Sequence, residues 1–202
     1  VEAKLERIPT LQREIIRAAS KYSVPTIVAT QMLESMIDNP IPSHSEATDV
    51  ANAVIEGADC LMLSAETAQG NFPVQTIEEI SGIVKNIEKK ILLYPDFYSL
   101  SHMKDESLED HKAIAKASCE IADYMNATAI VCLTLTGSIA RSISNNRPKT
   151  KVIAISPNEE IIYQLTYQWG VYPTHSNVFY KNDTILNELS PLLKENGFVK
   201  KN

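Results

Sequence analysis

The chain has 202 residues and a mass of 22.4 kDa, enough for one large domain or two small ones at about 150 residues each. Hydrophobic residues make up 44% and charged residues 22%, near the soluble globular averages of about 45–50% and about 25%, which excludes disordered and collagen-like classes. The net charge is −6 with no basic cluster, so no nucleic-acid partner is expected, and no apolar run approaches the roughly 18 residues of a membrane span, so no membrane partner is expected either.

At the amino end, Val1 to Arg7 carries acids and no apolar core of a signal peptide. There is no initiator methionine, and the chain is expected to be a piece of something longer. Ile8, Leu11, Ile15, Ala18 and Tyr22 recur at helical spacing and predict a helix from about Pro9 to Tyr22 with this stripe as its apolar face. The β-branched run from Thr26 to Thr30 predicts a buried parallel strand. Ser43-His44-Ser45-Glu46 reads as a capping box, Ala47, Val50, Ala51, Val54 and Ile55 as one apolar stripe, and Gly57 as the stop. Cys60 to Leu63 predicts a second buried strand, so residues 26–63 make a strand, helix, strand unit with parallel strands. A long helix marked by Ile77, Ile80, Val84, Ile87 and Ile91 follows and ends near Pro95.

Residues 95–110 are polar and acidic without either period, which makes them the expected linker. Beyond them come a helix carrying Ile114, Ile121, Ala122 and Met125, a strand at 129–134, a helix from Ser138 to about Asn146, a strand at 152–155, a helix through Ile162 and Leu165, a strand at 171–174 and a helix through Ile185, Leu189 and Leu192. Strands alternating with helices mean an α/β unit with a parallel sheet. The odd count of three cysteines, Cys60, Cys119 and Cys132, with no CxxC spacing, fits buried thiols in a reducing compartment.

Ligands of α/β folds bind at the carboxyl ends of parallel strands. Here those ends carry Thr30 and Ser64, followed by Gln31 and Glu66. The residues alone leave two readings open: a ligand site, or strand-capping hydroxyls beside a solvated acid. His44, His102, His111 and His175 have neither metal-ligand spacing nor a nearby nucleophile in sequence. Asp38, Asp49, Glu56 and Asp59 form no compact metal motif.

The run Ala29-Thr30-Gln31-Met32-Leu33-Glu34-Ser35-Met36-Ile37, then Asp49-Val50-Ala51-Asn52-Ala53-Val54, then Gly57-Ala58-Asp59-Cys60-Leu61-Met62-Leu63-Ser64-Ala65-Glu66-Thr67-Ala68 resemble three signatures of the pyruvate kinase family, in the family's order and spacing. The similarity is strongest over residues 1–73 and continues more weakly to the C-terminus. It implies an α/β fold: residues 1–94 as the last strands and helices of a (β/α)8 barrel, and 111–202 as a three-layer C-terminal domain with a mainly parallel sheet. The implied activity is phosphoryl transfer from phosphoenolpyruvate to ADP in glycolysis, giving pyruvate and ATP, with protonation of enolpyruvate as the second half of the chemistry. The implied cofactors are Mg2+ (or Mn2+) and K+, with ligands outside this chain. The implied setting is the cytoplasm, with a plastid-type organelle left open, and a homo-oligomer, a tetramer when full length.

Residue by residue, Thr30 resembles the family threonine that lies against the substrate's carboxylate and belongs to its proton-delivery network, and Ser64 and Glu66 resemble the serine and glutamate of that network. A threonine hydroxyl is too weakly acidic to act alone and can only pass on a proton supplied by water or another acid. Two departures from the family pattern stand out. Ala65 replaces a usual glycine, at a cost only where positive φ is needed, and Gln69 replaces a lysine near the nucleotide, which removes an attraction to ADP phosphates. The family's metal and phosphate ligands fall upstream of Val1 and its last two strands beyond Asn202, so the isolated chain is expected to be inactive.

In the second domain, Thr134, Leu135, Thr136, Gly137 and Ser138 run from a strand into a helix start, where free N–H groups favour an anion. The loop resembles the family's holder of a sugar-phosphate effector, although Leu135 and Ile139 replace charge and donor. An alternative stays open: a phosphate-sensing or subunit-contact α/β module with no catalytic role.

Overall fold

A computed structural model describes residues 4–29, 31–93, 110–177 and 185–198, and the chain divides into two units between residues 104 and 105. In the first, a 3-10 turn at Leu5–Arg7 leads into helix α1, Ile8–Lys21, with Pro9 in the first turn where a missing N–H costs little. Strand β1 (Ile27–Ala29), a 3-10 turn (Glu34–Ile37), helix α2 (His44–Glu56), strand β2 (Cys60–Met62), the one-turn helix α3 (Ala65–Ala68) and helix α4 (Pro73–Leu93) follow. The two strands pair in parallel, Ile27 opposite Cys60 and Ala29 opposite Met62, so α2 is the crossover of a strand, helix, strand unit.

The boundaries of α2 follow from local chemistry. Ser43 Oγ accepts the Glu46 N–H at 3.3 Å, and the Glu46 carboxylate accepts the Ser43 N–H at 2.8 Å, the reciprocal pair of a capping box. At the other end Gly57 turns left-handed, φ 100°, and the Ala58 N–H closes back onto the Ala53 carbonyl at 3.1 Å. The amino ends of the two strands are latched as well: the Asp59 carboxylate accepts the Thr26 N–H at 2.9 Å, and the Thr26 carbonyl accepts the Asp59 and Cys60 N–H groups at 3.1 and 3.0 Å. Val28, Leu33, Met36, Val50, Ala53 and Ile80 form the core.

Helix α1 turns another face inward than its periodicity suggested. In α1 the buried residue is Ile16, and Ile8, Ile15 and Tyr22 are exposed. Adjacent Ile15 and Ile16 permit two stripes of the same period, and polar bonds between helices select one: Gln12 Nε2 donates to Glu56 Oε2 at 2.8 Å, and Arg13 Nε lies 3.4 Å from Glu56 Oε1. Glu56, the last residue of α2, is thus a buried carboxylate, 6% exposed, satisfied as a buried charge must be. Along α2 itself the buried residues are Val50, Ala53 and Glu56, with Ala51, Val54 and Ile55 half-buried.

The second unit comprises α5 (Asp110–Tyr124), β3 (Ala129–Leu133), α6 (Ser138–Asn145), β4 (Lys151–Ser156), α7 (Glu159–Leu165), β5 (Val171–His175) and α8 (Ile185–Glu195). Its sheet runs β3-β4-β5, all parallel. Central β4 is buried from Val152 to Ser156, the continuous apolar run of a strand covered on both faces. Helix α5 buries small residues, Ala115 and Ala122, while Ile114, Ile121 and Met125 are exposed. Of the expected linker, 95–110, all but Asp110 lies outside the described residues.

Candidate functional site

Parallel pairing brings the carboxyl ends of β1 and β2 out side by side at Ala29 and Met62, the edge where α/β folds place ligands. Thr30, which follows β1, lies outside the described residues. Gln31 then adopts φ 55°, a left-handed backbone uncommon outside glycine and asparagine. Its side chain is exposed, whereas Met32 and Leu33 turn back into the core. After β2, Ser64 is exposed and has φ −128° and ψ −100° before the chain enters α3.

Glu66, on α3, is 3% exposed, which sets aside the reading of a solvated acid. Its Oε2 accepts the Ser64 N–H at 2.7 Å, and its Oε1 accepts the Leu33 N–H at 3.4 Å. One carboxylate therefore touches the segments that leave both strands. The same helix is seated on the turn Glu34–Ile37: the Asn71 N–H donates to the Ile37 carbonyl at 2.8 Å, and a Cβ on Gly70 would lie 2.5 Å from the Glu66 carbonyl oxygen and 3.2 Å from Ile37 Cα. Glycine is required there by close backbone approach. Ala65 sits in the helical turn and is not among the positive-φ residues, so the methyl it adds creates no backbone strain. Gln69 ends α3 with an exposed side chain.

A second carboxylate, which sequence reasoning treated only as half of a capping box, holds the loop from outside. Glu46 accepts the Ser35 N–H at 2.7 Å and the Ser43 N–H at 2.8 Å, together with the hydroxyl of each serine. Burial raises its pKa, but the bonds from Ser35 and Ser43 outweigh that and bring it from 4.5 down to about 2. Ser35 belongs to the run that begins at Ala29, so this anion fixes the segment that follows β1.

In the second unit, the Thr134 hydroxyl accepts the Gly137 N–H at 2.8 Å, Thr136 Oγ1 lies 3.2 Å from Ser138 Oγ, and Gly137 has φ 80°. The loop is not without charge, as its own five residues suggested. Arg141, one turn into α6, donates to the Thr136 carbonyl at 3.0 Å and to Gln164 Oε1 at 3.0 Å. The helical offset from Gly137 was the available signal for it.

Of the remaining candidates, His102 lies outside the described residues. His175 Nε2 lies 3.1 Å from the Pro157 carbonyl oxygen, and the carbonyl of His44 accepts the Thr48 hydroxyl at 2.9 Å. All three cysteines are free thiols. Among the described residues no three His, Cys, Asp or Glu side chains converge to hold a metal ion, and no helix is long and apolar enough to cross a membrane.

Two family models match the chain: the pyruvate kinase barrel domain over residues 1–77, and the pyruvate kinase alpha/beta domain over residues 112–202. The chain belongs to the pyruvate kinase family. It is 36% identical over 201 residues to the pyruvate kinase of Clostridium acetobutylicum, covering 100% of this chain and 42% of that protein. It is 38% identical over 173 residues to that of Thermotoga maritima, covering 86% and 36%. Among solved structures, a pyruvate kinase from Cryptosporidium parvum superposes with a TM-score of 0.85 at 34% identity over 99% of this chain and 40% of that one. The chain thus spans about two-fifths of the length of these pyruvate kinases. It is similar to the end of the barrel and to the α/β domain together, which does not favour the alternative of a separate sensing module.

Proposed function

We propose that the protein carrying this chain is a working pyruvate kinase, transferring the phosphoryl group of phosphoenolpyruvate to ADP. The observation that supports this most directly is buried Glu66, bonded to the backbone of Leu33 and Ser64 at the carboxyl ends of two parallel strands, inside the segment matched to the family's barrel. In the reaction, the bond between phosphorus and the enol oxygen breaks and one forms to a terminal phosphate oxygen of ADP. The enolpyruvate released takes a proton at its methylene carbon.

Residues of this chain serve the second step. The hydroxyls of Thr30 and Ser64 are too weakly acidic to supply the proton and relay it from water, with Glu66 completing the group that fixes their arrangement. Pyruvate kinases use Mg2+ (or Mn2+) and K+ to neutralise charge on the transferring group. On the family resemblance the ligands of these ions are assigned to the rest of the protein. Residues 1–94 are assigned to the barrel, 95–110 to a linker and 111–202 to the second domain. The loop Thr134, Thr136, Gly137 and Ser138 is assigned to a sugar-phosphate effector, and the whole protein to a cytoplasmic homotetramer.

The test is pyruvate formation by the purified natural protein with both cations supplied. Turnover that requires both phosphoenolpyruvate and ADP is expected, and none above a no-protein control would contradict the reading.

A further inference from the structure

We propose that Glu66 is a positioning residue, fastening together the segments that leave the two strands rather than passing a proton itself. This rests on the pyruvate kinase reading for its kinetic consequences, but the fastening is a property of this chain. Each carboxylate oxygen accepts a backbone N–H, one from Ser64 and one from Leu33, positions 31 apart in sequence by their numbers. A tether needs acceptors turned to the backbone, and Glu66 presents its two oxygens to backbone N–H groups of two separate segments.

The tether restrains something that needs restraint. Gln31 holds a left-handed backbone between Thr30 and buried Met32 and Leu33, and such conformations persist when their surroundings over-determine them. The Glu66 bond to the Leu33 N–H is one restraint. The Asn71 bond to the Ile37 carbonyl and the close seating of Gly70 on Ile37 are two more. Residues 66–71 and the segment 31–37 are joined at three points, so the backbone that continues from Ser64 is tied to the backbone that follows Thr30. Hydroxyls that hand on a proton need a fixed separation, and small misplacements are costly.

The two roles part in the variants Glu66→Asp and Glu66→Gln of the natural protein. Aspartate keeps the acid group but is one methylene short of spanning both N–H donors. Glutamine keeps the length but turns an N–H2 toward one of them. Positioning predicts that both variants lower pyruvate formation and deuterium exchange at the methyl group of pyruvate in parallel, by about tenfold or more. It also predicts that the Leu33 and Ser64 amides lose protection from hydrogen exchange while those of β4 keep theirs. A loss of methyl exchange in Glu66→Gln well beyond the loss of phosphoryl transfer, with Glu66→Asp largely active, would assign Glu66 to the relay and overturn the proposal. So would unchanged protection at Leu33 and Ser64 in either folded variant. Lack of pyruvate formation by the wild type would sink the pyruvate kinase reading alone, because the amide measurement still decides the fastening.

Discussion

Replacing Glu46 by glutamine keeps its size and removes the anion that binds Ser35 and Ser43. Its carboxyl is brought from 4.5 to about 2, and at ~1.4 kcal/mol per pH unit the difference is worth roughly 3 kcal/mol before screening. The bonds to Ser43 lie at the surface, which scales the expected loss to about 2 kcal/mol, or about 30-fold in an opening equilibrium. The folded pKa is the depressed one, so the contribution is fully present above 4.5 and is lost as pH falls toward 2. Hydrogen exchange followed by mass spectrometry over residues 34–47 reads it directly, with β4 as internal control. Wild type should be about 30-fold better protected than Glu46→Gln at pH 7, narrowing to about fourfold at pH 3. Intrinsic exchange rates cancel at each pH. A gap under about threefold at pH 7, or one that does not narrow at pH 3, would refute the reasoning.

Gly70→Ala should cost about 1–3 kcal/mol by overpacking against Glu66 and Ile37, seen as lost amide protection across residues 34–71; unchanged protection would show that α3 can shift freely. Burial, with Glu120 beside it, pushes the Cys119 thiol up to about 11, and burial pushes Cys132 up to about 12. At pH 8 Cys119 should therefore react with a disulfide reagent about 100-fold, and Cys132 about 1,000-fold, more slowly in the folded chain than in urea, and equal rates would contradict this. Arg141 is engaged by Thr136 and Gln164, and Leu135 offers no charge. Fructose 1,6-bisphosphate should therefore change the half-saturating phosphoenolpyruvate concentration of the natural protein by less than about threefold, and a much larger drop would contradict this expectation of a weak response.

Local chemistry was readable without coordinates. Ser43 with Glu46 fixes one end of α2 and Gly57 the other, each by chemistry local to that end, and the apolar strand runs admit few alternatives. Helix faces were less legible, because Ile15 and Ile16 offer two stripes and only Glu56, more than forty positions away by its numbering, selects one. Separation in sequence also hid partners of three charged residues. Glu66 reaches back to Leu33, Glu46 to Ser35 and Arg141 across to Gln164. Apart from the capping-box pair of Ser43 and Glu46, the donors of these carboxylates are set by the folded backbone, and no spacing in the sequence encodes them.

The central claim is that the strand ends of this chain hold the proton-delivery half of a pyruvate kinase site. It is tested most directly by deuterium exchange into the methyl group of pyruvate, measured on the natural protein and on Thr30→Val, which keeps the side-chain shape and removes the hydroxyl. The account predicts that exchange falls by about tenfold or more while nucleotide affinity changes by less than about threefold. Exchange that proceeds at the wild-type rate in Thr30→Val would contradict it.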